Sequence, residues 1–120
     1  LAAIEAMRNG DGDVAMMRAE YNRRRVHLVE RLREIGIPCF EPEGAFYVFP
    51  SIEKTGLTSE AFCEKLLADK KVACVPGTAF GPCGEGHIRC SYATGLAKLQ
   101  EALALIAQNL EKISRGGMDA

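Results

Sequence analysis

The amino-acid sequence predicts an α+β fold in the form of a two-layer α/β sandwich. Three long segments carry apolar residues at helical spacings, and shorter segments between them are rich in β-branched and aromatic residues. The chain has 120 residues, of which 48% are hydrophobic and 26% are charged, a composition typical of one globular domain. We therefore expect a small mixed sheet covered by a long N-terminal helix, a middle helix and a C-terminal helix.

The first of these helices is long and follows a turn-forming cluster at residues 9–12. Asp13 is expected to cap its N-terminus, and the apolar residues that follow are spaced by three, four and seven positions. They are Val14, Met17, Tyr21, Leu28, Val29, Leu32 and Ile35. Gly36 fits the left-handed position that ends a helix, and Pro38 prevents the helix from resuming.

The other two helices are predicted from capping and spacing. Thr58 is expected to cap a middle helix that runs to Asp69, with three apolar side chains facing inward. These are Phe62, Leu66 and Leu67. The last helix has the most regular pattern, with apolar residues at Leu96, Leu99, Leu103, Ile106, Leu110 and Ile113. A coiled-coil seam has a similar pattern, but a short repeat among strands favours a helix packed on a sheet.

Strands are predicted at residues 45–49, 72–75 and 87–92, and a further short strand is expected to begin at residues 39–40. In the last strand, alternation places Ile88, Cys90 and Tyr92 on one face and Arg89 on the other. A guanidinium projecting from a rigid strand can grip a carboxylate through two parallel hydrogen bonds. On residue type alone, an ordinary surface ion pair is the favoured explanation of Arg89.

Charge and cysteine content restrict the classes of partner. The formal net charge is −1, so no long-range field attracts nucleic acid or anionic lipid, and we expect neither as a partner. Five cysteines without a CxxC pair favour reduced thiols in the cytoplasm. No leader-like segment opens the chain, and no apolar run approaches the roughly 20 residues of a membrane helix. The first residue is Leu1, so we expect the chain to be a piece of a longer protein.

Three segments carry a resemblance to a known family: PEGAFYVFP at 42–50, VPGTAFG at 75–81 and GHIRCSYA at 86–93. In this order they resemble the C-terminal signatures of class I/II aminotransferases of fold type I. The resemblance extends from about Met17 through the last helix. It implies that residues 13–115 are the small C-terminal domain, that residues 1–12 are a remnant of the interdomain segment, and that residues 116–120 are a flexible tail.

The same resemblance implies a function. In this family the arginine of the last strand binds the α-carboxylate of the substrate, and Arg89 stands at that position. Phe46 is expected beside the substrate entrance, and the loop at 76–81 near the domain cleft. The parent enzyme would use pyridoxal 5'-phosphate to move an amino group between an amino acid and a 2-oxo acid, as a homodimer. The Schiff-base lysine is expected upstream of this chain, so we expect the chain alone to be inactive and to hold no cofactor.

Alternative functions remain open at this point. Carbon–sulfur lyases share the carboxylate arginine, and the isolated chain could instead be a non-catalytic interaction module. A metal site at Cys83, His87 and Cys90 lacks a paired CxxC knuckle, so we expect no metal. The glycine-rich loop between residues 76 and 86 lacks the Gly-Lys-Ser/Thr of a phosphate loop, and turn geometry explains it better.

Overall fold

A computed structural model of the chain describes the backbone of residues 1–118 and the side chains of residues 1–114. Its helices are α1 (Ala2–Asn9), α2 (Asp11–Glu34), α3 (Ser59–Lys70) and α4 (Leu96–Met118), and its strands are β1 (Tyr47–Val48), β2 (Val75–Pro76) and β3 (Ile88–Ser91). Short 3₁₀ turns lie at Glu53–Thr55, Gly77–Phe80 and Pro82–Gly84. The α+β class is confirmed. Of the expected tail at 116–120, the last two residues lie outside the described part of the chain, and its flexibility stays a prediction.

The sheet has the strand order β1-β3-β2, and β3 is antiparallel to both of its neighbours. The prediction of a mixed sheet is therefore wrong for the described residues. Strands β1 and β2 run in the same direction, but they are not adjacent, because β3 lies between them and pairs with each. Spacing along a sequence predicts that strands exist, but it does not say which strand will lie between two others.

The core lies between one face of this sheet and the helices α2, α3 and α4. Its apolar members are Leu28, Val29, Leu32, Ile37, Val48, Ile52, Phe62, Cys63, Leu66, Ile88, Tyr92, Leu99, Leu103 and Ile106. Each fully buried aliphatic or aromatic side chain stabilises the fold by about 1.5–3 kcal/mol relative to leaving it exposed. The opposite face of β3 therefore does not contribute to this core.

Within residues 1–118, no helix combines the length and the apolar character that crossing a membrane requires.

Helix α2 begins three residues earlier than predicted, because its N-cap is Gly10 and not Asp13. Gly10 alone separates α1 from α2, and its φ of −89° and ψ of −3° are helical. Its N–H donates to the Ala6 carbonyl at 3.0 Å, and its own carbonyl accepts from the Val14 N–H at 3.0 Å. The predicted loop at 9–12 is thus nearly continuous helix. Asp11 and Asp13 both lie in the first turn of α2, where negative charge stabilises the helix dipole.

The C-terminal end of α2 follows the sequence prediction. Gly36 has a φ of 87°, and its N–H donates to the Arg33 carbonyl at 3.1 Å. The Ile37 N–H donates to the Leu32 carbonyl at 2.8 Å. These two bonds form the Schellman arrangement, which turns Ile37 into the core.

Three residues assigned to inward-facing positions are exposed instead. Val14, Met17 and Leu67 are 58%, 50% and 50% exposed, and every residue from 11 to 19 is exposed. Helical spacing predicts which face of a helix is apolar, but not whether anything in the chain covers that face. The buried part of α2 is restricted to Leu28, Val29 and Leu32.

The strands are shorter than predicted. Residues 39–40 form no strand and Phe40 is 92% exposed, and of residues 45–49 only Tyr47–Val48 pair with β3. Ala45 has a positive φ of 58°, which belongs to a turn rather than to extended backbone. The second strand begins at Val75 instead of residue 72, because only there does the chain reach its hydrogen-bonding partner on β3.

Helix α3 is capped by residues from two parts of the chain. The Ala61 N–H donates to Thr58 Oγ1 at 3.2 Å, which confirms the predicted cap. The Ser59 N–H donates to Glu85 Oε1 at 2.8 Å, and the Gly86 N–H donates to Ser59 Oγ at 2.9 Å. The Glu85 carboxylate therefore satisfies a helix N-terminal donor and ties the loop before β3 to α3.

Replacing Glu85 with alanine is expected to destabilise the chain by about 1 kcal/mol, the usual loss when a helix N-terminal acceptor is removed. Urea denaturation followed by circular dichroism measures this change. Glu64→Ala, an exposed glutamate in the middle of α3, is the matched control and should shift the midpoint little. Equal midpoints for both variants would contradict the capping role of Glu85.

Candidate functional site

Arg89 lies on the central strand β3, on the face that points away from the core. Its neighbours Ile88 and Tyr92 are 0% and 2% exposed, whereas Arg89 itself is half-buried. In the β2–β3 ladder Arg89 is paired with Val75. The position therefore combines a rigid backbone with a side chain that reaches the outer face of the sheet.

The Arg89 guanidinium lies between two aromatic rings. Its Cζ is 4.3 Å from the centre of the Tyr47 ring and 4.7 Å from the centre of the Phe80 ring. Such contacts attract the cation through the ring faces and leave the five N–H donors in its plane for another partner. Among residues 1–114, no carboxylate oxygen lies within 4.0 Å of these nitrogens. The surface ion pair considered from the sequence is thus not formed within this part of the chain.

Two further rings extend this arrangement. Phe49 stacks on His87 with ring centres 5.1 Å apart and an angle of 9° between the planes, and it meets Phe80 edge-on at 6.3 Å. We call Tyr47, Phe49, Phe80 and His87 the aromatic face. Two of its rings, Tyr47 and Phe80, flank the Arg89 guanidinium with apolar surface, which weakens competition from water for the arginine's donors.

Strand register explains why these rings meet. Tyr47 pairs with Ser91 in the antiparallel ladder, and a bridge joins Ser51 to His87. Residues opposite each other share a face of the sheet, so Tyr47 lies on the side of β3 that carries Arg89. Phe80 does not lie on a strand; it is in the 3₁₀ turn Gly77–Phe80 that follows β2.

Phe46 occupies a different position. Its ring stacks on Tyr21 of α2 at 6.0 Å and touches Tyr47 at 4.4 Å, while its carbonyl accepts from the Tyr92 N–H at 2.8 Å. Phe46 is half-buried and lines a groove of about 1130 Å³ between α2 and residues 41–46. The ring of Phe46 thus contacts Tyr47, which in turn contacts Arg89, and the role of Phe46 at a substrate entrance stays a prediction.

The aromatic face was not predicted from the sequence, although the sequence does indicate that two of its rings share one side of a strand. Alternation along residues 45–49 places Tyr47 and Phe49 on one side of the strand. Their pairing with Arg89 depends on the register between β1 and β3, which no local pattern specifies. Phe80 could not be predicted, because a turn brings its ring over the guanidinium.

The family model for aminotransferase class I and II matches residues 1–106, and the chain therefore belongs to that family. The "Putative aminotransferase YugH" of Bacillus subtilis (strain 168) is 55% identical over 92% of this chain and 29% of its own length. An aspartate aminotransferase of Pyrococcus abyssi (strain GE5 / Orsay) is 49% identical over 95% of this chain and 29% of its own.

Solved structures of aminotransferases also match this chain. The aromatic aminotransferase of Pyrococcus horikoshii OT3 matches with a TM-score of 0.83 and 50% identity, over 84% of this chain and 27% of that one. The chain thus spans about 29% of the length of the curated relatives it matches first. Most of what such a relative contains lies outside the residues of this chain.

The family implies pyridoxal phosphate as its cofactor, which would need a lysine amine beside the substrate. Among residues 1–114, the lysine contacts that the structure describes involve neither Arg89 nor the aromatic face. Lys65 and Lys112 share Asp69 at 3.2 and 3.3 Å, and the Lys70 amine donates to Gln108 at 3.2 Å. These contacts lie within α3 and between α3 and α4. Within the described residues, no three His, Cys, Asp or Glu side chains lie close enough to hold a metal ion.

Proposed function

We propose that this chain is the small C-terminal domain of an aminotransferase, and that Arg89 binds the α-carboxylate of the substrate. The parent enzyme transfers an α-amino group between an amino acid and a 2-oxo acid with pyridoxal phosphate. The single observation that carries the proposal is the state of the Arg89 guanidinium, which is held between Tyr47 and Phe80 with its in-plane donors directed to no carboxylate of residues 1–114. The motifs around it are those of the family.

The arrangement suits recognition of a carboxylate in three ways. The strand limits where the Arg89 side chain can reach, and the two rings limit the orientation of its plane. A planar fork then meets the two oxygens of a carboxylate through parallel hydrogen bonds. Because apolar rings flank the pair, the local dielectric is lower than in water, and each hydrogen bond to the anion is stronger.

This binding has a chemical purpose in amino-group transfer. The reaction requires the substrate's Cα–H bond to be held at a defined angle to the cofactor ring, and anchoring the carboxylate helps to set that angle. The lysine, the phosphate site and the partner of the ring nitrogen are proposed to come from a large domain outside this chain. We propose accordingly that the isolated chain is inactive, and that the parent is a cytoplasmic homodimer in which residues 13–115 form the small domain.

A chimeric enzyme tests the proposal. In it, this chain replaces the matching segment of the Pyrococcus abyssi aspartate aminotransferase, which is 49% identical over 95% of the chain. We expect the chimera to convert aspartate and a 2-oxo acid into the corresponding products, and the chain alone to show no turnover. The amino-acid product is quantified by chromatography.

Two controls make the result decisive. The same relative with the matching segment deleted should be inactive, which shows that the chain restores activity. Release of ammonia in place of a new amino acid would favour the lyase alternative. A chimera that unfolds at the temperature of the native relative, yet catalyses neither reaction, would contradict the proposed function.

A further inference from the structure

A pair of thiols lies on the side of the sheet opposite to Arg89. The sulfur atoms of Cys74 and Cys90 are 3.8 Å apart. Val75 pairs with Arg89 in the antiparallel ladder, so Cys74 and Cys90 are the next pair along. The Cα atoms of facing residues in such a ladder are about 4.5–5.5 Å apart, within the range of about 4.4–6.8 Å found in disulfides. Bond formation therefore requires rotation of the side chains rather than movement of the strands.

Both cysteines border a pocket that opens to solvent. Cys74 and Cys90 are half-buried, and both line this pocket of about 570 Å³ between the strands and α4. Lys71, Lys98 and Glu101 also line the pocket, and Lys98 pairs with Glu101 at 4.0 Å. Cys63 differs, because it is buried in the core and burial raises the pKa of its thiol to about 11.

The two thiols act as one hydrogen-bonded pair. Either thiol can be the donor in the contact between the Cys74 and Cys90 sulfurs. When one thiol loses its proton, the other donates a hydrogen bond to the thiolate, which lowers the pKa of the first deprotonation and raises the pKa of the second. Since the thiolate is the nucleophile in disulfide exchange, the cysteine that ionises first is the attacking group and the other is the resolving group.

We propose that Cys74 and Cys90 form a reactive dithiol that is oxidised by low-molecular-weight organic disulfides. One thiolate of the pair attacks the disulfide RSSR, forms a mixed disulfide and releases one RS⁻. The other cysteine then loses its proton to solvent and attacks the protein sulfur of the mixed disulfide, which forms the Cys74–Cys90 bond and releases the second RS⁻. The protein loses two electrons, and RSSR is reduced to two thiols.

The cross-link would restrain the part of the molecule that holds the arginine. It joins β2 to β3 and closes the segment 75–89, which includes the turn that carries Phe80 and its contact with Arg89. Oxidation would therefore limit the movement of that turn relative to β3. The dithiol itself does not depend on the proposed function, since its chemistry involves neither Arg89 nor a substrate.

Oxidised glutathione is the probe for this proposal. The reduced 120-residue chain is treated with it, the remaining thiols are alkylated, and the disulfides are located by peptide mass spectrometry. We expect the Cys74–Cys90 bond to exceed every other pairing by about tenfold or more, because the two groups are already in contact. In urea we expect this preference to be lost in favour of Cys83–Cys90, which closes a shorter loop.

Variants test whether the two thiols act together. Cys90→Ser and Cys74→Ser should each abolish the cross-link and leave a stable glutathione adduct on the remaining cysteine of the pair. Cys83→Ser, which removes an exposed cysteine outside the pair, is the matched control and should retain the cross-link. Separate adducts on Cys74 and Cys90, a predominant Cys63–Cys74 bond, or the same pairings with and without urea would each overturn the proposal.

Discussion

Replacing Arg89 with lysine in the aspartate aminotransferase chimera is expected to lower kcat/KM for the amino acid by about 30- to 150-fold. This range corresponds to about 2–3 kcal/mol, the usual magnitude for a hydrogen bond to a charged group. Lysine keeps the positive charge, but it loses the planar fork and the flat surface that packs between Tyr47 and Phe80. Steady-state kinetics measure the change, and Arg89→Ala should lose more because it also removes the charge.

The control for this prediction separates carboxylate binding from a general loss of structure. Arg33→Lys makes the same substitution at an exposed position of α2 and should leave kcat/KM unchanged. An amine substrate without a carboxylate gives a second readout, since the preference of the enzyme for the amino acid over that amine should fall in Arg89→Lys. A variant with normal kcat/KM and normal preference would remove Arg89 from the substrate site.

The helices could be predicted well because their signals are local. Thr58 caps α3 and Gly36 ends α2 as the sequence indicates, since capping depends on residues within one turn of the helix. The errors have a common cause. Val14 and Met17 follow the helical spacing but are exposed, because an apolar face becomes buried only where another part of the structure covers it.

The same distinction applies to the candidate site. Alternation along β3 is a local property, and it correctly placed Arg89 on the face opposite to Ile88. The contacts with Tyr47 and Phe80 join residues 42 and 9 positions away in the chain, and they depend on strand register and on the path of a turn. Sequence patterns could therefore identify the cation, but not the rings that orient it.

Replacing Gly77 with alanine is expected to destabilise the chain by about 2–3 kcal/mol, near the upper end of the usual range for added volume in a packed region. A Cβ at this position would lie 2.0 Å from the Gly84 carbonyl oxygen and 2.8 Å from that of His87. Both obstacles are backbone atoms, so they cannot rotate away as a side chain could. The Gly77 N–H also donates to the His87 carbonyl at 2.8 Å, and a shift that relieves the clash would weaken this bond.

A matched substitution tests whether the close approach of Gly77 and Gly84 causes this loss. Gly12 lies within α2 with open space around its missing side chain, so Gly12→Ala should stabilise the chain by about 0.5–1 kcal/mol through helix propensity. Urea midpoints of the two variants should therefore move in opposite directions. Because the Gly77–Phe80 turn carries the ring that contacts Arg89, Gly77→Ala should also weaken substrate binding in the chimera. A urea midpoint of Gly77→Ala at or above the wild-type value would contradict the prediction, because it would show that the turn can move away from Gly84 without loss of stability.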